Sequence, residues 1–358
     1  MKIDVVSASA GTGKTYRLTG DLAKALLEGE ARPEGVVAIT YTVKAAGELE
    51  SRIRARLLEA GRSDLAARVR DGYIGTIHSV CQRLLREFSL EAGISPYLEP
   101  IPETERERLF DVALSSVLTG REGKLNDLAD RLELKEWKGK LLKIVDAARA
   151  NGMDEAAVKR SAEASRAGLE KLLGKPTIDG PTYLSKLKAA HGRLQPKLDE
   201  LANGTVAATK TRAAAGKKLA TVFARGLMPS WKSQVQFAGQ VDMQKLSAWS
   251  GEFVELVGEH MACAAFHEDV LGMQQALFAL AGETLGVFVA EKGAAGVVDF
   301  GDMLAQAREV LARPAVQEAL GARLDLVLVD EFQDTSPLQL AVVGELGRLA
   351  KRSIWVGD

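Results

Sequence analysis

Residues 5–15 read Val5-Val6-Ser7-Ala8-Ser9-Ala10-Gly11-Thr12-Gly13-Lys14-Thr15. A β-branched run passes into small residues and glycines, and a lysine and a threonine then begin a helical pattern. This order predicts a strand, a loop that wraps a phosphate chain, and a helix whose positive dipole end faces the anion. Small side chains leave the loop's backbone N–H groups free to bind phosphate, and they are Ala8, Ser9, Ala10, Gly11, Thr12 and Gly13. In such a loop Lys14 reaches the β- and γ-phosphates and the Thr15 hydroxyl holds Mg²⁺.

Strands alternate with helices on either side of this loop. Apolar strands are predicted at 36–42, 73–77, 325–330 and 353–357, and helical patterns begin at Lys44 and His78. Continuous apolar strands are typical of a parallel sheet that is covered on both faces. The sequence therefore predicts an α/β fold of the P-loop NTPase (RecA-like) class, with helices on both faces of a parallel sheet.

A large helical segment interrupts this pattern. Prolines break the chain near residues 96–102, and helical periodicity with almost no strand candidates continues to about residue 290. We predict a discontinuous ATP-binding domain over 1–95 and 291–358, with an all-helical inserted domain over 96–290. Within the insertion, the small residues between 204 and 216 predict a mobile loop.

The inserted segment is basic. Residues 159–232 contain fifteen Lys and Arg against five Asp and Glu, a local net charge of +10 in a chain whose formal net charge is -1. A basic lobe on a near-neutral protein fits a polyanionic partner, most simply the backbone of a nucleic acid. The alternative is an ordinary solvated helical face, since lysine is common on such faces.

The remaining composition suits a cytoplasmic protein. Cys81 and Cys263 form no disulfide framework and no four-cysteine metal site, which fits a reducing compartment. The N-terminus enters a strand directly and leaves no room for a signal peptide. The sequence contains no run of 18 apolar residues, so it predicts no membrane span.

A second motif completes the predicted nucleotide site. The apolar strand Leu326–Val329 is followed by Asp330 and Glu331. Asp330 is placed to hold Mg²⁺, and Glu331 to orient and deprotonate an attacking water. Because this pair follows an apolar strand and accompanies the phosphate loop, the two motifs together predict an ATPase site.

These motifs resemble the superfamily 1 DNA helicases of the UvrD/Rep/RecB type. The Walker B segment of that family resembles Asp330-Glu331-Phe332-Gln333-Asp334-Thr335, and its Walker A resembles residues 8–15, with a small residue at Ala8 where other families have Gly. Further matches are Thr40-Tyr41-Thr42-Val43-Lys44-Ala45-Ala46, Gly75-Thr76-Ile77-His78-Ser79, Asp299-Phe300-Gly301-Asp302 and Val356-Gly357-Asp358. Phe and Asn are more usual at Tyr41 and Val43. The residues of the Walker A segment favour the RecB/AddA branch. The match at Val356-Gly357-Asp358 resembles only the opening of the third motif, which predicts truncation within that motif.

The resemblance implies roles for single residues. Lys14 and Thr15 would bind the triphosphate and Mg²⁺, with Asp330 on the metal and Glu331 in catalysis. Gln333 would lie near the γ-phosphate, and Tyr16 near the adenine. The single-stranded DNA path would include Tyr41, Thr42, Thr76 and His78, where an aromatic ring can stack on any base.

The implied function is ATP-dependent, Mg²⁺-dependent stepping on single-stranded DNA in the 3′-to-5′ direction, in DNA repair or recombination. A helicase–nuclease partner subunit would fit the RecB/AddA branch. Without a second motor domain, the chain alone should bind nucleotide weakly and unwind no DNA. The alternatives are a truncated, non-catalytic nucleotide- or DNA-binding module and a small-molecule P-loop kinase.

Several residues have a plainer interpretation. Tyr41 can be interpreted as a core-edge aromatic and His78 as a helix cap, while Asp299 and Asp302 favour helix capping over catalysis. His260, Cys263 and His267 have the spacing of one helical face, but with no fourth ligand core packing is favoured over zinc. Core anchoring is also favoured for Trp137, Trp231 and Trp249, although one of them could touch DNA.

Overall fold

Five parallel strands form one sheet in the computed structural model, which describes residues 3–7, 14–97, 99–203, 207–244 and 246–357. The strands are β1 (Ile3–Ser7), β2 (Val36–Thr40), β3 (Tyr73–Thr76), β4 (Leu326–Asp330) and β5 (Arg352–Gly357). Their order across the sheet is β1-β5-β4-β2-β3. Every strand pair is parallel, as the continuous apolar runs predict.

Helices make up most of the rest of the described chain. They are α1 (Lys14–Leu27), α2 (Val43–Glu59), α3 (Ser63–Arg68), α4 (Ile77–Glu87), α5 (Ser89–Ala92), α6 (Glu103–Leu118), α7 (Glu122–Leu132), α8 (Trp137–Ala150), α9 (Glu155–Leu173), α10 (Gly180–Ala202), α11 (Ala207–Ala224), α12 (Trp231–Val241), α13 (Ser247–Gly258), α14 (Ala264–Ala295), α15 (Phe300–Leu311), α16 (Pro314–Arg323) and α17 (Pro337–Leu349). Short 3₁₀ turns occupy 33–35, 69–71, 260–262 and 332–334.

Helices cover the sheet on both faces. Successive side chains of a strand point to opposite sides, so each strand contributes to two cores. Val37, Ile39, Val327 and Val329 belong to one core with α4, α15, α16 and α17. The alternate strand residues, such as Ala38 and Leu328, belong to a second core with α1, α2 and α3. The predicted fold class, a P-loop α/β sheet interrupted by helices, is confirmed.

The chain divides into two compact units. The first comprises Met1–Phe110, Ala147–Met153 and Phe288–Asp358, and the second comprises Asp111–Asp146 and Asp154–Val287. The first unit contains the sheet. The predicted domain boundaries, 1–95 with 291–358 and 96–290, stay a prediction.

Among its described residues the second unit contains helices joined by loops, and its one β feature is an isolated bridge between Ile178 and Cys263. Its core is formed by α10, α11, α12 and α13 around buried residues such as Tyr183, Leu194 and Phe253. Trp137 and Trp231 are buried, as predicted for core anchors, whereas Trp249 is 41% exposed beneath the Lys197 ammonium.

The predicted loop at 204–216 is wrong for the residues that are described. Helix α11 begins at Ala207 and includes Gly216, whereas 204–206 lie outside the described residues. Ala is the strongest helix former, so the alanines of this stretch favour a helix. The carbonyl of Gly216 also accepts a hydrogen bond from the buried His191 ring, with Nε2 2.9 Å from the oxygen.

Helix α14 is the one described helix that is long and apolar enough to cross a membrane by length and composition. Half of its most apolar 18-residue window is buried inside the protein, with Met273, Leu280 and Ala281 among the buried residues. A core helix of a soluble protein passes the same test, so α14 is weak evidence for a span.

Candidate nucleotide and nucleic-acid site

The carboxyl ends of the five strands lie level along one edge of the sheet. Ser7 pairs with Gly357, Asp330 with Val356, and Thr40 with Thr76. Neighbouring strands are ~4.8 Å apart, so the end of β1 is two strands, or about 10 Å, from Asp330. In open parallel sheets, ligands bind in the crevice outside this edge.

The predicted phosphate loop continues from the end of β1. Ala8, Ser9, Ala10, Gly11, Thr12 and Gly13 lie outside the described residues, as do the side chains of Lys14 and Thr15. Helix α1 begins at Lys14, where the predicted helix starts. The phosphate and metal roles of these residues stay predictions.

The carboxylate pair is at the end of β4. Asp330 is its last residue, and Glu331 has a φ of 54°, in the left-handed region that is uncommon for residues other than glycine. Such backbone conformations cluster at functional sites. The turn leads into the 3₁₀ turn at 332–334 and then into α17, whose N-terminus is capped by Ser336.

Gln333 packs against both Glu331 and β5. Its amide Nε2 donates a hydrogen bond to Glu331 Oε2 over 2.7 Å. A Cβ on Gly357 would stand 2.3 Å from Gln333 Oε1, so this side chain lies directly against the end of β5. The fold therefore brings together two predicted site residues, Glu331 and Gln333, beside the strand that separates β4 from β1.

The described part of this edge offers one carboxylate of the kind that magnesium uses. Mg²⁺ is usually bound through one or two carboxylates together with substrate phosphates. Asp330 supplies a carboxylate at the strand end, whereas the Thr15 hydroxyl is outside the described part of the chain. Among the described residues, no group of three or more His, Cys, Asp or Glu is placed to hold a metal ion.

The predicted DNA residues lie at or just after the carboxyl ends of β2 and β3, at the same edge. Tyr41 is 69% exposed, so it is not a core-edge aromatic. Thr42 caps α2 by accepting a hydrogen bond from the Ala45 N–H, and Thr76 caps α4 through the Ser79 N–H. His78 lies in the first turn of α4 and does not cap it.

Phe300 is a residue that sequence reasoning missed. Its ring is 5.0 Å from the His78 ring, edge to face, and the side chain is 52% exposed. Burial lowers the pKa of His78, which keeps the imidazole neutral at neutral pH. The sequence places Phe300 inside a recognised motif, but no periodicity pairs it with His78, 222 positions earlier.

Asp299 and Asp302 cap α15, which confirms the capping interpretation. The two residues form a reciprocal capping box. They also bind two cations: Arg149 Nη1 donates to Asp299 Oδ2 over 2.7 Å, and Lys292 Nζ donates to both carboxylates. Burial alone would raise the pKa of Asp299, but hydrogen bonds from Arg149 and Lys292 lower it below the ordinary range.

The three residues considered for zinc serve packing instead. His260 lies in a 3₁₀ turn, and Cys263 separates that turn from α14, so no single helical face is formed. Each imidazole bonds a backbone carbonyl: His260 Nδ1 is 2.7 Å from Val257 O, and His267 Nε2 is 2.6 Å from Met261 O. The ring of His260 also stacks on Trp231.

Some basic residues of this segment form ion pairs or hydrogen bonds, and others form no ion pair with any described residue. Lys217 pairs with Asp199, and Arg212 donates to the Gln240 carbonyl. Four lysines on α10 and α11 are exposed and have no ion-pair partner among the described residues: Lys186, Lys188, Lys210 and Lys218.

A helix-covered parallel sheet, with a phosphate-loop sequence after β1 and a carboxylate pair at the end of β4, defines a domain of the P-loop NTPase class. Residues 2–358 match the family model described as the UvrD/REP helicase N-terminal domain, and the chain belongs to this family. The resemblance that the motifs indicate is thereby confirmed.

Relatives of the chain are helicases. It is 32% identical over 106 residues to DNA helicase II of Haemophilus influenzae, a match that covers 30% of this chain and 14% of the relative. It is 31% identical over 131 residues to one subunit of the ATP-dependent helicase/nuclease of Syntrophomonas wolfei, covering 34% and 11% respectively. It is 36% identical over 91 residues to ATP-dependent DNA helicase PcrA of Bacillus subtilis, covering 25% and 11%. The matched segments are thus a small part of each relative's length.

Proposed function

We propose that this chain is the first motor domain of an ATP-dependent DNA helicase or translocase. It would hydrolyse ATP with Mg²⁺ and step along single-stranded DNA in the 3′-to-5′ direction. The observation that carries the proposal is the alignment of strand ends, which places Asp330 and Glu331 two strands from the start of the phosphate-loop sequence.

In the nucleotide half of the site, the loop 8–13 with Lys14 would bind the phosphates, and Thr15 and Asp330 would hold Mg²⁺. Mg²⁺ neutralises charge that develops on the phosphate oxygens. Glu331 would accept the proton of the attacking water at its carboxylate. The Gln333 amide, which now bonds Glu331, would contact the γ-phosphate.

In the nucleic-acid half, single-stranded DNA would run along the ends of β2 and β3. Tyr41 offers an exposed ring, and Phe300 with His78 offers a second aromatic surface. Thr42 and Thr76 would contact the backbone beside these rings. Stacking on such rings is worth ~1–3 kcal/mol per base and tolerates any base.

The wider assignment rests on the family. The domain boundaries at 95 and 291, the role of the basic segment in binding single-stranded or duplex DNA, and a helicase–nuclease partner subunit belong to this proposal. So does a cytoplasmic location, which suits the two free, buried cysteines. We propose further that the chain alone has little ATPase activity and unwinds no DNA, because the arginines of a second motor domain can contribute ~10³–10⁵ in rate.

The decisive experiment measures nucleotide binding and single-turnover hydrolysis separately, with and without a single-stranded oligonucleotide. Lys14→Ala should lose binding of Mg·ATP. Glu331→Gln should keep nucleotide binding in this chain and lose hydrolysis in the full-length protein. Glu345→Gln removes a partly exposed carboxylate on α17, which pairs with Arg348, and is the matched control. Normal hydrolysis by Glu331→Gln would show that the general base is wrongly assigned.

Direction can be measured with the full-length protein on oligonucleotides that carry streptavidin at one end. Movement from 3′ to 5′ displaces streptavidin from the 5′ end alone. Binding of ATP or DNA without any turnover in the full-length protein would favour the alternative, a non-catalytic binding module. Unwinding by residues 1–358 alone would contradict the proposed inactivity of the chain.

A further inference from the structure

A cavity of about 450 Å³ lies within the second unit, where α7, α11 and α12 meet. Apolar side chains make up most of its wall, and they include Leu219, Met228 and Phe237. Ligand sites typically have volumes of ~300–1,000 Å³ and combine an apolar wall with a few polar groups. The size and the wall of this cavity therefore suit a small organic group.

The two helices that form most of the cavity carry positive charge and no carboxylate. Between Glu200 and Asp242 the sequence contains four lysines and two arginines but no Asp or Glu. Both α11 and α12 lie in this stretch. Of these cations, Lys218 lines the cavity, is exposed and forms no ion pair with a described residue. The surroundings of the cavity therefore favour an anionic ligand.

A second cation in the cavity wall is held in place by a buried carboxylate. Arg131 Nε and Nη2 donate to the two oxygens of Asp269 over 2.9 and 2.5 Å, and Asp269 is 5% exposed. The same carboxylate accepts a hydrogen bond from Trp231 Nε1 over 2.8 Å. Arg131 Nη1 bonds no described residue, so it is available to a ligand. The cavity thus contains a guanidinium of fixed orientation that is linked through Asp269 to the Trp231 ring.

We propose that this cavity receives one unstacked base of single-stranded DNA, while Lys218 holds a phosphate next to that base. A base is flat, and its edge carries donors and acceptors that the lining amides of Gln236 and Gln240 can match. Asp130 is the one carboxylate among the described lining residues, and it can accept a hydrogen bond from an exocyclic amino group. The proposal rests on the proposed role of the basic segment in binding DNA.

Other anionic ligands suit the cavity less well. An acyl chain would fill the apolar wall, but it has no hydrogen-bonding groups to replace the water that the lining amides lose. Duplex DNA keeps its bases paired and stacked, so it would contact this segment through its phosphates alone. A single strand offers both a free base and a flanking phosphate, which match the two kinds of group in the wall.

The test measures the affinity of this chain for an oligothymidylate, for an abasic strand of equal length and for a duplex. Ala215→Phe places a ring in the cavity from α11. It should weaken binding of the oligothymidylate about 5- to 100-fold, the size of one base contact, and change the other two affinities less than about twofold. Ala214→Phe adds the same ring at the adjacent exposed position, which does not line the cavity, and is the matched control.

Occupancy of the cavity can be observed at Trp231. With 5-fluorotryptophan incorporated, the ¹⁹F resonance of Trp231 should shift on binding of the oligothymidylate, because its indole bonds the carboxylate that holds Arg131. The abasic strand and the duplex should leave this resonance unchanged. In Ala215→Phe, the oligothymidylate should also leave it unchanged.

A second pair of variants leaves the cavity unfilled. Lys218→Met and Lys210→Met each remove an exposed lysine of α11, but Lys210 does not line the cavity. Both should weaken binding of the duplex equally, whereas Lys218→Met should cost more affinity for the oligothymidylate. If Ala215→Phe unfolds the second unit, this pair decides: equal losses for the oligothymidylate would contradict the proposal.

Two further outcomes would overturn it. One is an equal affinity of Ala215→Phe and Ala214→Phe for the oligothymidylate, with no shift of Trp231 in the unsubstituted chain. The other is a shift of Trp231 with a free mononucleotide but not with the oligonucleotide, which would assign the cavity to a soluble nucleotide. A failure of the proposed DNA-binding function is distinguishable, because in that case neither strand nor the duplex would bind the unsubstituted chain.

Discussion

Lys292→Met removes one cation from the buried ion cluster that caps α15. Lys292 Nζ is 2.8 Å from Asp299 Oδ2 and 2.6 Å from Asp302 Oδ2, and the lysine side chain is 2% exposed. Met retains much of the aliphatic stem. Two carboxylates then face the single guanidinium of Arg149, and the cluster acquires a net negative charge.

Removing one partner of a buried ion pair costs about 3–5 kcal/mol, because the remaining charge is desolvated without compensation. We expect the upper part of this range, since Lys292 bonds two carboxylates. That is a large part of the ~5–15 kcal/mol by which a domain is stable. A carboxyl that takes up a proton relieves the repulsion, so the loss should be larger at pH 8 than at pH 5.

The assay must report the first unit alone, because the chain has two units. Trp355 is the one tryptophan in the sequence of that unit. With 5-fluorotryptophan incorporated, the ¹⁹F resonance of Trp355 can be followed through a urea titration. Lys292→Met should lower the free energy of unfolding from this resonance by about 3–5 kcal/mol.

Two further variants make the measurement specific. Arg348→Met breaks an exposed pair with Glu345 and should cost at most ~0.5 kcal/mol. Adding Asp302→Asn to Lys292→Met restores charge balance with Arg149 and should recover about 2 kcal/mol, within the usual range for coupled neighbours. A loss for Lys292→Met no larger than that for Arg348→Met would contradict the magnitude derived from burial.

Three further predictions concern the acid stability of the second unit and the binding of DNA. Burial lowers the pKa of His191, so on acidification the unfolded chain takes up the proton before the folded chain does. The free energy of unfolding therefore falls as the pH drops below ~6.5, by at most ~1.4 kcal/mol per pH unit. His191→Gln should flatten this acid slope, read from the Trp231 resonance; an unchanged slope would assign it to other groups. Phe300→Ala should weaken binding of a single-stranded oligonucleotide about 5- to 100-fold, with no change in Mg·ATP affinity; equal oligonucleotide affinity would place the DNA elsewhere. Neutralising the four exposed lysines that form no ion pair with the described residues should make the slope of log K for DNA binding against log salt concentration shallower. The change should be up to ~0.7 for each single-strand phosphate that they neutralise. An unchanged slope would mean that this segment is an ordinary solvated helical face. The four lysines are Lys186, Lys188, Lys210 and Lys218.

The fold class could be predicted because the sequence patterns that indicate it are local. The strand–loop–helix order at 5–15 and the apolar run before Asp330 each lie within about a dozen residues. Continuous apolar strands predict burial on both faces of the sheet, and the two cores on either side confirm it. The insertion was predictable for the same reason, because strand candidates are almost absent from it.

Other features were beyond local patterns. The mobile loop predicted from the small residues is a helix over 207–216, and Trp249, for which the sequence favours core anchoring, is 41% exposed. Arg149 gave no sign of a role, yet it bonds Asp299 across 150 positions. Each of these outcomes depends on which surfaces pack against the segment, and that is absent from the segment itself.

The amino-acid sequence alone determined the proposal of a nucleotide site at the sheet edge, because the residue types proposed to bind phosphate and Mg²⁺ follow strand ends at fixed spacing. Tertiary structure alone decided which side chains from distant parts of the chain meet. The guanidinium of Arg56 over the ring of Tyr16, Phe300 on His78 and Lys292 between two aspartates are contacts between separate elements of the fold. Such contacts form only when a common core holds their helices in one arrangement, and no spacing along the sequence encodes them.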